Sequence, residues 1–583
     1  MLLLVDFISA QPHKSSTTTK SMGNKTNKSS TNNNNPSSSG GGNSKSTSSS
    51  NRLTDHMIRE RRADVFNYYQ DVRRLGEGSI GTVRLVKRKK GTEGGSAYES
   101  TRDHANWGGG CGCLIDGLFG CSWLTRRSNN TINKHRQGSK SSNHSEMYAL
   151  KSIQLRLVQK EYLDELRNEI SVLRSLDHPN IVKAYEVYET KHNIYVVMEY
   201  CSGGDLYARV PYAESQAANI ITQLCSAIGN MHDNGISHRD IKMENIMFES
   251  SDPMAKIKLL DFGLSKKYLP GMYMSDWCGT VYTMSPQVLE GVYTNKADCW
   301  SIGVIAFLLL CNEKPFRGKR SEMLSKIKHC DFTFNNPGWC NVSKDAKRFV
   351  AALLTKDPKK RLSADEALQH SWLKKKDFAS VSTKELNESL MVNVKDNILS
   401  FAQTSELKRI AAVIVAHKSS VKEILDMRRA FEKIDTEKDG VITIDEFKTA
   451  MAECDEYSDE EVNAMFDHID VNKNGTIMYT EFVAATLELH GRVEEKRLAE
   501  AFDHIDDDDS GYISKENLKK LLGESGTPER IERLIGSADS DGDGRISFEE
   551  FLVMFRKDNI AAVEDEIVTE TETVADHVIS EEG

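Results

Sequence analysis

The sequence predicts a multidomain protein in which an α+β domain precedes an all-α domain, and three observations support this expectation. The chain has 583 residues, more than a single hydrophobic core usually accommodates. Residues 147–373 combine short β-branched strands, such as 194–198, with long apolar helical patterns, such as 299–311. From residue 427 to 557, four segments of helix, acidic loop and helix recur at intervals of about 35 residues, which indicates a domain built from copies of one unit.

The chain divides into five predicted parts. Residues 13–51 are almost entirely Ser, Thr, Asn, Gly and Lys, a composition that buries too little apolar surface to offset the entropy lost on ordering. A Gly-, Ser- and Asn-rich stretch interrupts the α+β domain between two strands, and an acidic stretch without periodicity ends the chain. The predicted parts are a disordered extension at 1–64, the α+β domain at 65–373 with an insertion at about 92–145, a basic and apolar junction at 374–426, the repeat domain at 427–557 and an acidic tail at 558–583.

Composition narrows the class of protein. Apolar residues make up 39% and charged residues 28% of the chain, as in ordinary globular proteins. The formal charge of −10 argues against a general nucleic-acid binder, so no nucleic-acid partner is expected. Eleven cysteines, scattered and odd in number, indicate a reducing compartment rather than a disulfide framework. We therefore expect a cytoplasmic protein whose membrane contact, if any, is peripheral, because no run of about 18 apolar residues occurs.

A glycine-rich segment and an ordered series of charged residues indicate phosphate chemistry. Gly76, Gly78 and Gly81 lie within residues 75–83, where backbone without Cβ atoms can lie close over phosphates. This spacing is weak by itself, and its meaning comes from the series that follows. In order, the series comprises Lys151 in Tyr-Ala-Leu-Lys, Glu169 in Asn-Glu-Ile, Asp240, Lys242 and Asn245 in His-Arg-Asp-Ile-Lys-Met-Glu-Asn, and Asp261 in Asp-Phe-Gly.

These residues resemble the motifs of the protein kinase family over about residues 69–373, and the resemblance implies a bilobal α+β kinase fold that uses ATP and Mg²⁺. Lys151 is expected to hold the α- and β-phosphates, with Glu169 fixing that lysine by an ion pair. Asn245 and Asp261 are expected to supply oxygen ligands to Mg²⁺. The residues expected at the nucleotide site are Leu75, Gly76, Gly78, Gly81, Val83, Lys151 and Glu169 and, at the hinge, Glu199 and Cys201.

The same resemblance assigns the transfer step and the substrate class. Asp240 is expected to be the catalytic base, and Lys242 is expected to steady the γ-phosphate, which is a feature of the serine/threonine branch. Asp298 is expected to be a buried carboxylate that braces the catalytic loop. Asp205 and Glu244 either read a basic residue upstream of the target Ser or Thr or are ordinary surface acids. Protein substrates with Ser or Thr in a basic context are the expected partners.

Two positions depart from the family pattern. Gln287 stands where the family has a glutamate that pairs with Arg361, and because an amide makes a weaker bond than a carboxylate, this joint is expected to be looser. Residues 261–286 have no threonine in the usual phosphorylation position. We hypothesise that Asp276 serves part of the role of a loop phosphate toward Arg239. No catalytic residue is replaced, so the enzyme is predicted to be active.

Four twelve-residue windows fit the EF-hand calcium loop, which needs oxygen ligands at positions 1, 3, 5, 7, 9 and 12 and glycine at position 6. The windows recur at a regular interval, which argues against ordinary acidic surface loops. The predicted Ca²⁺ ligands are Asp435, Glu437, Asp439, Val441 and Glu446 in the first loop, Asp470, Asn472, Asn474, Thr476 and Glu481 in the second, Asp506, Asp508, Ser510 and Tyr512 in the third, and Asp539, Asp541, Asp543, Arg545 and Glu550 in the fourth.

The four loops are not equivalent. Position 12 should be a bidentate glutamate, and the third loop carries Asn517 there instead. An amide offers one neutral oxygen where two anionic ones are wanted, so the third site is predicted to be much weaker or empty. The first loop has Glu437 at position 3, which is longer than the usual Asp or Asn, and the fourth loop is the best formed.

The junction between the two domains carries a basic amphipathic pattern. Its apolar residues lie among basic ones at positions 398, 399, 401, 407, 410, 413 and 414. Such a helix can lie in a hydrophobic groove, or it can be an ordinary packed linker. The whole architecture resembles the calcium-dependent protein kinases of plants and protists, with a calmodulin-like EF-hand domain. That resemblance implies an autoinhibitory junction helix, released when the chain's own EF-hands bind calcium and capture it.

Two features bear on membrane contact. Residues 22–27 resemble an N-myristoylation start, which works only if translation begins at Met22. Because one acyl chain binds membranes marginally, a second signal would be needed. Cys111, Cys113 and Cys121 of the insertion could be acylated, or they could be free thiols.

Two other functions compete with a calcium-switched kinase. A calcium-binding scaffold without catalysis is supported only by Gln287 and the insertion, and the intact Lys151, Asp240 and Asp261 oppose it. A kinase controlled by separate calmodulin is opposed by the sensor already present in the chain.

Overall fold

The computed structural model describes seven stretches of the chain, and they follow the predicted order of domains. These stretches are residues 57–77, 81–89, 147–158, 163–374, 384–452, 457–487 and 495–555. Several predicted features lie outside the described residues, namely the body of the insertion, the acidic tail at 558–583, Gly78, Met22, Cys111, Cys113 and Cys121.

The first lobe is a six-stranded sheet with one long helix packed on it. Its strands are β1 (Arg59–Arg61), β2 (Tyr69–Glu77), β3 (Gly81–Arg88), β4 (Met147–Gln154), β5 (Ala184–Glu189) and β6 (Asn193–Glu199), in the order β1-β5-β6-β4-β3-β2. Val196 contributes to the core beneath helix α1 (Leu163–Ser175), whereas Val197 belongs to a separate cluster with Tyr69 and Leu150. Successive side chains of a strand point to opposite faces, so the sheet is buried on both.

The second lobe is helical and is centred on one fully buried helix. Its helices are α2 (Glu214–Asp233), α3 (Pro286–Glu290), α4 (Lys296–Cys311), α5 (Arg320–His329), α6 (Lys344–Leu353) and α7 (Ala364–Leu368). Every residue of 297–311 is buried, with α2 and α6 packed against α4. A helix covered on all sides needs no polar face, which explains the apolar run at residues 302–311.

Two short antiparallel pairs fix the loops between the lobes. They are β7 (Ile236–Ser237) with β10 (Lys266–Lys267), and β8 (Ile246–Phe248) with β9 (Ile257–Leu259). The first pair ties the segment before residue 240 to the segment after residue 261. The second pair closes a hairpin directly after residue 245. The predicted catalytic residues are therefore held at strand ends.

Four helix–loop–helix units form the last part, and they combine in two pairs. Short strands join the first loop to the second and the third to the fourth, namely β11 (Val441–Ile442) with β12 (Ile477–Met478) and β13 (Tyr512–Ile513) with β14 (Ile546–Ser547). The flanking helices are α10 (Leu425–Ile434), α11 (Ile444–Met451), α12 (Asp459–Ile469), α13 (Tyr479–Thr486), α14 (Glu495–Ile505), α15 (Lys515–Leu522), α16 (Pro528–Gly536) and residues 548–555. The predicted fold class, a bilobal α+β domain followed by an all-α EF-hand domain, is confirmed.

The junction forms two helices that lie inside the EF-hand domain. They are α8 (Lys384–Gln403) and α9 (Glu406–Lys418), and the side chain of Ser405 between them accepts a hydrogen bond from the amide of Lys408 as an N-cap. Helix α9 packs against α13 of the second hand and α14 of the third. Its residues 410–416 are buried on every side, so it joins the two EF-hand pairs into one core.

The EF-hand domain docks on the bilobal domain through buried polar contacts. Arg428 of α10 donates two hydrogen bonds to the carboxylate of Glu249, at 2.6 and 2.9 Å, with both side chains buried. In the first calcium loop, a Cβ at Gly440 would lie only 2.0 Å from the ring of His178. His417 at the end of α9 shares a hydrogen bond of 3.1 Å with the carbonyl of Ala184 in β5.

The N-terminal boundary differs from the prediction. Residues 1–64 were expected to lack fixed structure, but residues 59–61 form β1, which pairs in parallel with β5. Arg59 and Arg61 are buried, 3% and 8% exposed. A strand of two arginines and a glutamate has no apolar alternation, so only its contacts with distant residues stabilise it.

Among the helices of the described residues, none has the length and apolar character that a membrane crossing requires.

Candidate functional site

A lysine, a glutamate and an aspartate meet at the cleft between the lobes. The ammonium of Lys151 on β4 lies 2.5 Å from Glu169 Oε1 on α1 and 3.6 Å from Asp261 Oδ1. Although burial opposes the charge, Glu169 and Asp261 raise the pKa of Lys151 above its usual value. The lysine is therefore a fixed positive charge, placed for the phosphates of a nucleotide.

The predicted transfer residues form one hydrogen-bonded group. Lys242 donates to Asp240 Oδ2 at 2.5 Å, and Thr280 donates to Asp240 Oδ1 at 2.7 Å. Asn245 donates through Nδ2 to the carbonyl of Asp240, at 3.0 Å. The Oδ1 of Asn245 is buried, and no described residue donates a hydrogen bond to it.

The donor set fits Mg²⁺ at this place. A buried oxygen without a partner is costly unless something else binds it. Asn245 Oδ1 and the carboxylate of Asp261 are hard oxygen ligands, of the kind Mg²⁺ takes together with substrate phosphates. Asp261 has a positive φ of 65°, an uncommon conformation for a non-glycine residue, which occurs where surrounding contacts hold it.

The buried carboxylate of Asp298 holds the catalytic loop in place. Its carboxylate accepts hydrogen bonds from the amides of His238 and Arg239, at 2.9 and 2.8 Å, and from the Ser237 hydroxyl at 2.7 Å. Arg239 has a φ of 68°. Four donors, His232 included, satisfy this buried charge and fix the strained backbone that carries Asp240.

Two glycines of the β2–β3 strand pair have different surroundings. A Cβ at Gly81 would lie 1.8 Å from the carbonyl oxygen of Ser152, so this glycine permits β3 to approach β4. A Cβ at Gly76 would meet open space, consistent with a position that faces a ligand. Val83 is buried and Leu75 is 37% exposed.

The hinge residues follow β6. Glu199 ends β6, and its carboxylate lies 3.0 Å from the ammonium of Lys258. Cys201 is buried, 4% exposed, and burial raises the pKa of its thiol well above the usual value. The hinge therefore carries a buried thiol and a carboxylate that is already paired with Lys258.

Asp276 meets the arginine that precedes the catalytic aspartate. Its Oδ2 accepts hydrogen bonds from Arg239 and from Lys266, both at 2.7 Å. Hydrogen bonding from Lys266 and then from Arg239 lowers the pKa of Asp276, so the group is a fixed anion. The structure thus brings together the two residues of the sequence hypothesis.

Gln287 meets Arg361 through hydrogen bonds instead of an ion pair, and burial lowers the pKa of Arg361 to about 10. Arg361 donates to Gln287 Oε1 at 2.8 Å, and Gln287 Nε2 in turn donates to the carbonyl of Lys356 at 2.8 Å. A glutamate could not make the second bond. Arg361 is 1% exposed and also donates to the carbonyl of Lys296, so it has enough acceptors without a carboxylate.

The two candidate substrate-reading acids lie on the same lobe. Glu244 is exposed and accepts a hydrogen bond of 2.9 Å from the Tyr282 hydroxyl. Asp205 caps a short helix by accepting from the amide of Tyr207 at 3.0 Å. Glu244 keeps one carboxylate oxygen available for a basic side chain, whereas Asp205 has a structural task as well.

All four calcium loops, the third included, have the backbone arrangement that EF-hands need. In each, the position-1 aspartate accepts a hydrogen bond from the position-6 glycine, and position 6 has a positive φ near 84°. Asp539, Asp541 and Asp543 bring one oxygen each within 4.8 Å of one another. In the first, second and fourth loops, the main-chain carbonyls at position 7 belong to Val441, Thr476 and Arg545.

The electrostatics of the first and second loops fit a cation. Burial, and next Asp439, raise the pKa of Asp435 to about 7. Burial, and to a lesser extent Asp470, raise the pKa of Glu481 to about 8. Carboxylates gathered in partly buried loops repel one another, and a divalent cation removes that repulsion.

The third loop differs from the others at position 12. Asn517 Oδ1 accepts from Ser514, and its Nδ2 donates to Asp508 Oδ1 at 3.2 Å. A donor thus points at the position-3 ligand from the place where a glutamate oxygen would bind the ion. This geometry agrees with the prediction of a weak or empty third site. The loop's other candidate ligands, Asp506, Ser510 and Tyr512, bond to one another.

Sequence reasoning missed the residues that join the calcium loops to the bilobal domain. Asp177, two residues after α1, accepts hydrogen bonds from the amide and the hydroxyl of Thr480, at 2.8 and 2.7 Å. Thr480 immediately precedes the position-12 ligand Glu481. Arg59 likewise contacts a calcium loop, because it donates a hydrogen bond to Asp509 of the third loop. An acid after an apolar helix is too common in sequences to indicate such a contact.

Comparisons with known proteins agree with this geometry. The protein kinase domain family model matches residues 137–373, and the EF-hand domain pair model matches residues 424–487 and 495–556. Calcium-dependent protein kinase 34 of Arabidopsis thaliana is 36% identical over 422 residues, which cover 71% of this chain and 80% of that protein. Calcium-dependent protein kinase 29 of the same plant is 37% identical over 420 residues, covering 70% and 77%. Calcium-dependent protein kinase 5 of Plasmodium falciparum is 33% identical over 403 residues, covering 67% and 70%.

Proposed function

Because the chain belongs to the calcium-dependent protein kinase family, we propose that calcium activates it by drawing the junction helices away from the kinase domain and into the EF-hand domain. The protein is a calcium-dependent serine/threonine protein kinase that uses ATP, Mg²⁺ and Ca²⁺ and acts on protein substrates. The proposal concerns how the calcium signal reaches the active site and which residues act there.

In the transfer step, Asp240 orients the hydroxyl of the substrate and accepts its proton. Lys242 and Thr280 hold the two oxygens of that carboxylate, so Asp240 is fixed before a substrate arrives. Lys151 holds the nucleotide phosphates. Asn245 and Asp261 would hold Mg²⁺, which neutralises phosphate charge when bound.

The observation that carries the regulatory proposal is the position of α9. Its apolar residues, including Ile410, Val413 and Ile414, are buried within the EF-hand core. A helix buried on all sides by both EF-hand pairs is unavailable to a second surface at the same time. This burial supports an assignment of the arrangement as the released form, and inhibition then requires that α9 leave this core when calcium is absent.

Magnitudes permit such a switch. Moving a two-state equilibrium from about 1:99 to 99:1 takes roughly 5.5 kcal/mol of differential binding. Couplings of roughly 1 to 3 kcal/mol per site reach that total with the first, second and fourth loops together. One loop would not suffice.

We assign substrate choice to two acids near the catalytic loop, of which Glu244 is exposed and Asp205 is half-buried. Glu244 offers a carboxylate oxygen to a basic residue upstream of the phosphorylated Ser or Thr, with Asp205 as a second candidate. Replacing Glu244 with Gln should raise KM for a basic peptide and leave KM for a neutral peptide unchanged.

Peripheral membrane attachment through acylation at the N-terminus, if translation begins at Met22, is a further proposal. Mass spectrometry of the protein purified from its own cells would detect the acyl group. A cytoplasmic location is the companion expectation.

The deciding experiment is phosphate transfer from ATP to a basic-context Ser/Thr peptide, with and without micromolar free calcium. The Asp240→Asn variant gives the background. Activity that requires calcium and is lost in the variant supports the proposal. Equal activity in both conditions would keep the kinase and refute the autoinhibitory switch, and no activity in either would favour a non-catalytic scaffold.

A further inference from the structure

The segment 57–61, which we call the clip, touches both domains of the protein. Its strand β1 pairs with β5, with Glu60 opposite Val187. Ile58 belongs to the kinase core, whereas Met57 belongs to the EF-hand core. Both are almost fully buried, 5% and 3% exposed. Neighbouring residues of one short segment thus anchor in two different domains.

The arginines of the clip bind the third calcium loop. Arg59 donates to Asp509 Oδ1 at 2.7 Å and to the carbonyl of Asp506 at 3.2 Å. Arg61 lies 3.5 Å from Asp509 Oδ2. The Arg59 side chain is 2% exposed, so its guanidinium is shielded from water and needs these acceptors to stabilise its charge.

The third loop differs from its neighbours at the contacted position. Asp509 occupies position 4, where the first and second loops carry Lys438 and Lys473 and the fourth carries Gly542. All four residues have the same left-handed backbone, with φ between 53° and 78°. The backbone therefore does not demand an aspartate there, and a lysine would repel Arg59.

The same loop is the one least able to hold calcium. Asn517 replaces the position-12 glutamate and points an amide donor at Asp508. The loop nevertheless keeps four consecutive aspartates, 506–509. Arg59 and Arg61 of the clip balance part of this negative charge.

We propose that the third EF-hand loop is a docking site for the clip rather than a calcium sensor, and that clip docking is part of the calcium switch. The inference rests on the proposed function, since it concerns the same released arrangement. In the docked state, the clip fastens the EF-hand domain to the kinase sheet. Anything that stabilises this state lowers the calcium concentration that populates it.

The test uses full-length variants at matched concentrations. Arg59→Glu and Asp509→Lys each place like charges at the contact, and Asp509→Lys introduces the residue that the first two loops already carry. The double variant Arg59→Glu/Asp509→Lys restores opposite charges. Arg62→Glu is the matched control, because Arg62 is exposed and adjacent.

Each single variant should raise the calcium concentration for half-maximal activity at least about fivefold, the lower end of the range for coupled sites. The maximal rate at saturating calcium should stay unchanged, the double variant should recover at least half of the shift on a logarithmic scale, and Arg62→Glu should match the wild type. Calorimetry should give the same number of bound calcium ions in the wild type and in Asp509→Lys.

Three results would overturn the proposal. The first is a half-activating calcium concentration in the single variants equal to that of Arg62→Glu. The others are a double variant shifted as far as the single variants, and the loss of a bound calcium ion in Asp509→Lys. Circular dichroism identifies a variant that fails to fold, and Asp509→Lys, on a side chain 52% exposed, is then the deciding one. If the wild type is active without calcium, the proposed function itself has failed. A calcium-dependent wild type with unaffected variants refutes the clip alone.

Discussion

At the scale of single residues, we expect Asn517 to decide how many calcium ions the protein binds. Replacing it with glutamate restores two anionic oxygens at position 12 and removes the donor that faces Asp508. Calorimetry should detect three binding events in the wild type and a fourth in Asn517→Glu. Asn517→Gln is the control, because it has the length of glutamate without the charge. A wild type that binds four ions, or a glutamate variant that binds three, would contradict this assignment.

Asp276 is the carboxylate of the activation segment that binds Arg239. Asp276→Ala should lower kcat by about two- to fivefold, the effect of losing an ion pair between a partly exposed acid and a mostly buried arginine. Asp276→Glu keeps the charge and should retain most activity, and Ser275→Ala changes an exposed neighbour without breaking a contact. Steady-state kinetics with saturating calcium measures all three. Full activity of Asp276→Ala would show that the acid does not act as a loop phosphate.

The residues of the catalytic cleft were predictable from sequence because phosphoryl transfer dictates both their types and their order. Lys151, Asp240, Asn245 and Asp261 each lie within a recognisable motif. The reason for Gly81 was not predictable, since it depends on the carbonyl of Ser152 on a strand that the insertion separates in sequence.

At the scale of elements, the first turn of α13 is capped by a residue of the kinase domain. Thr480→Val and Asp177→Asn should each raise the half-activating calcium concentration, because losing a helix cap costs about 0.5–2 kcal/mol. The same reasoning predicts that the double variant is less affected than the sum of the singles, since both remove one contact. Thr449→Val, in the corresponding helix of the first hand, is the control. Additive effects would show that the two residues act separately.

The element that sequence reasoning misplaced is β1. Strands are recognised by alternation and β-branched residues, and Arg-Glu-Arg has neither. By contrast, the EF-hand helices are indicated by capping residues and apolar periodicity that lie within about 12 residues of one another. The sequence therefore predicted these helices together with their loops. Elements that depend on local sequence are predictable, and those that depend on distant partners are not.

At the scale of the whole molecule, the docking of the two domains is the feature that calcium should control. Chelating calcium should speed amide hydrogen exchange in residues 59–61 and 184–189, which lie at the docking surface, while α4 stays protected. Arg428→Ala should produce the same pattern with calcium present, because it leaves Glu249 buried without its main partner. Arg429→Ala, on an exposed neighbour, is the control. Unchanged exchange after chelation would mean that docking is independent of calcium.

The domain content and the order of domains could be read from the sequence, and their relative placement could not. Repeats and motifs are properties of one segment, whereas the contacts of Asp177, Glu249 and Arg428 join residues about 180 to 300 positions apart. Such pairs carry no periodic or spacing signal in a single chain.

The pairing of β3 with β4 has a practical consequence for engineering. Lys87 pairs with Met147 in an antiparallel ladder, so the end of β3 and the start of β4 lie side by side, where the chain makes a reversing turn. Each doubling of a loop's length adds only about 0.6 kcal/mol to the entropic cost of closing it. We therefore expect the sheet to tolerate a large domain inserted there. Arg88 at that turn lies 3.9 Å from Glu500 of the EF-hand domain. A fluorescent protein installed in place of the insertion would sit beside the docking surface, which makes this turn a natural position for a genetically encoded reporter of the kinase's own activation.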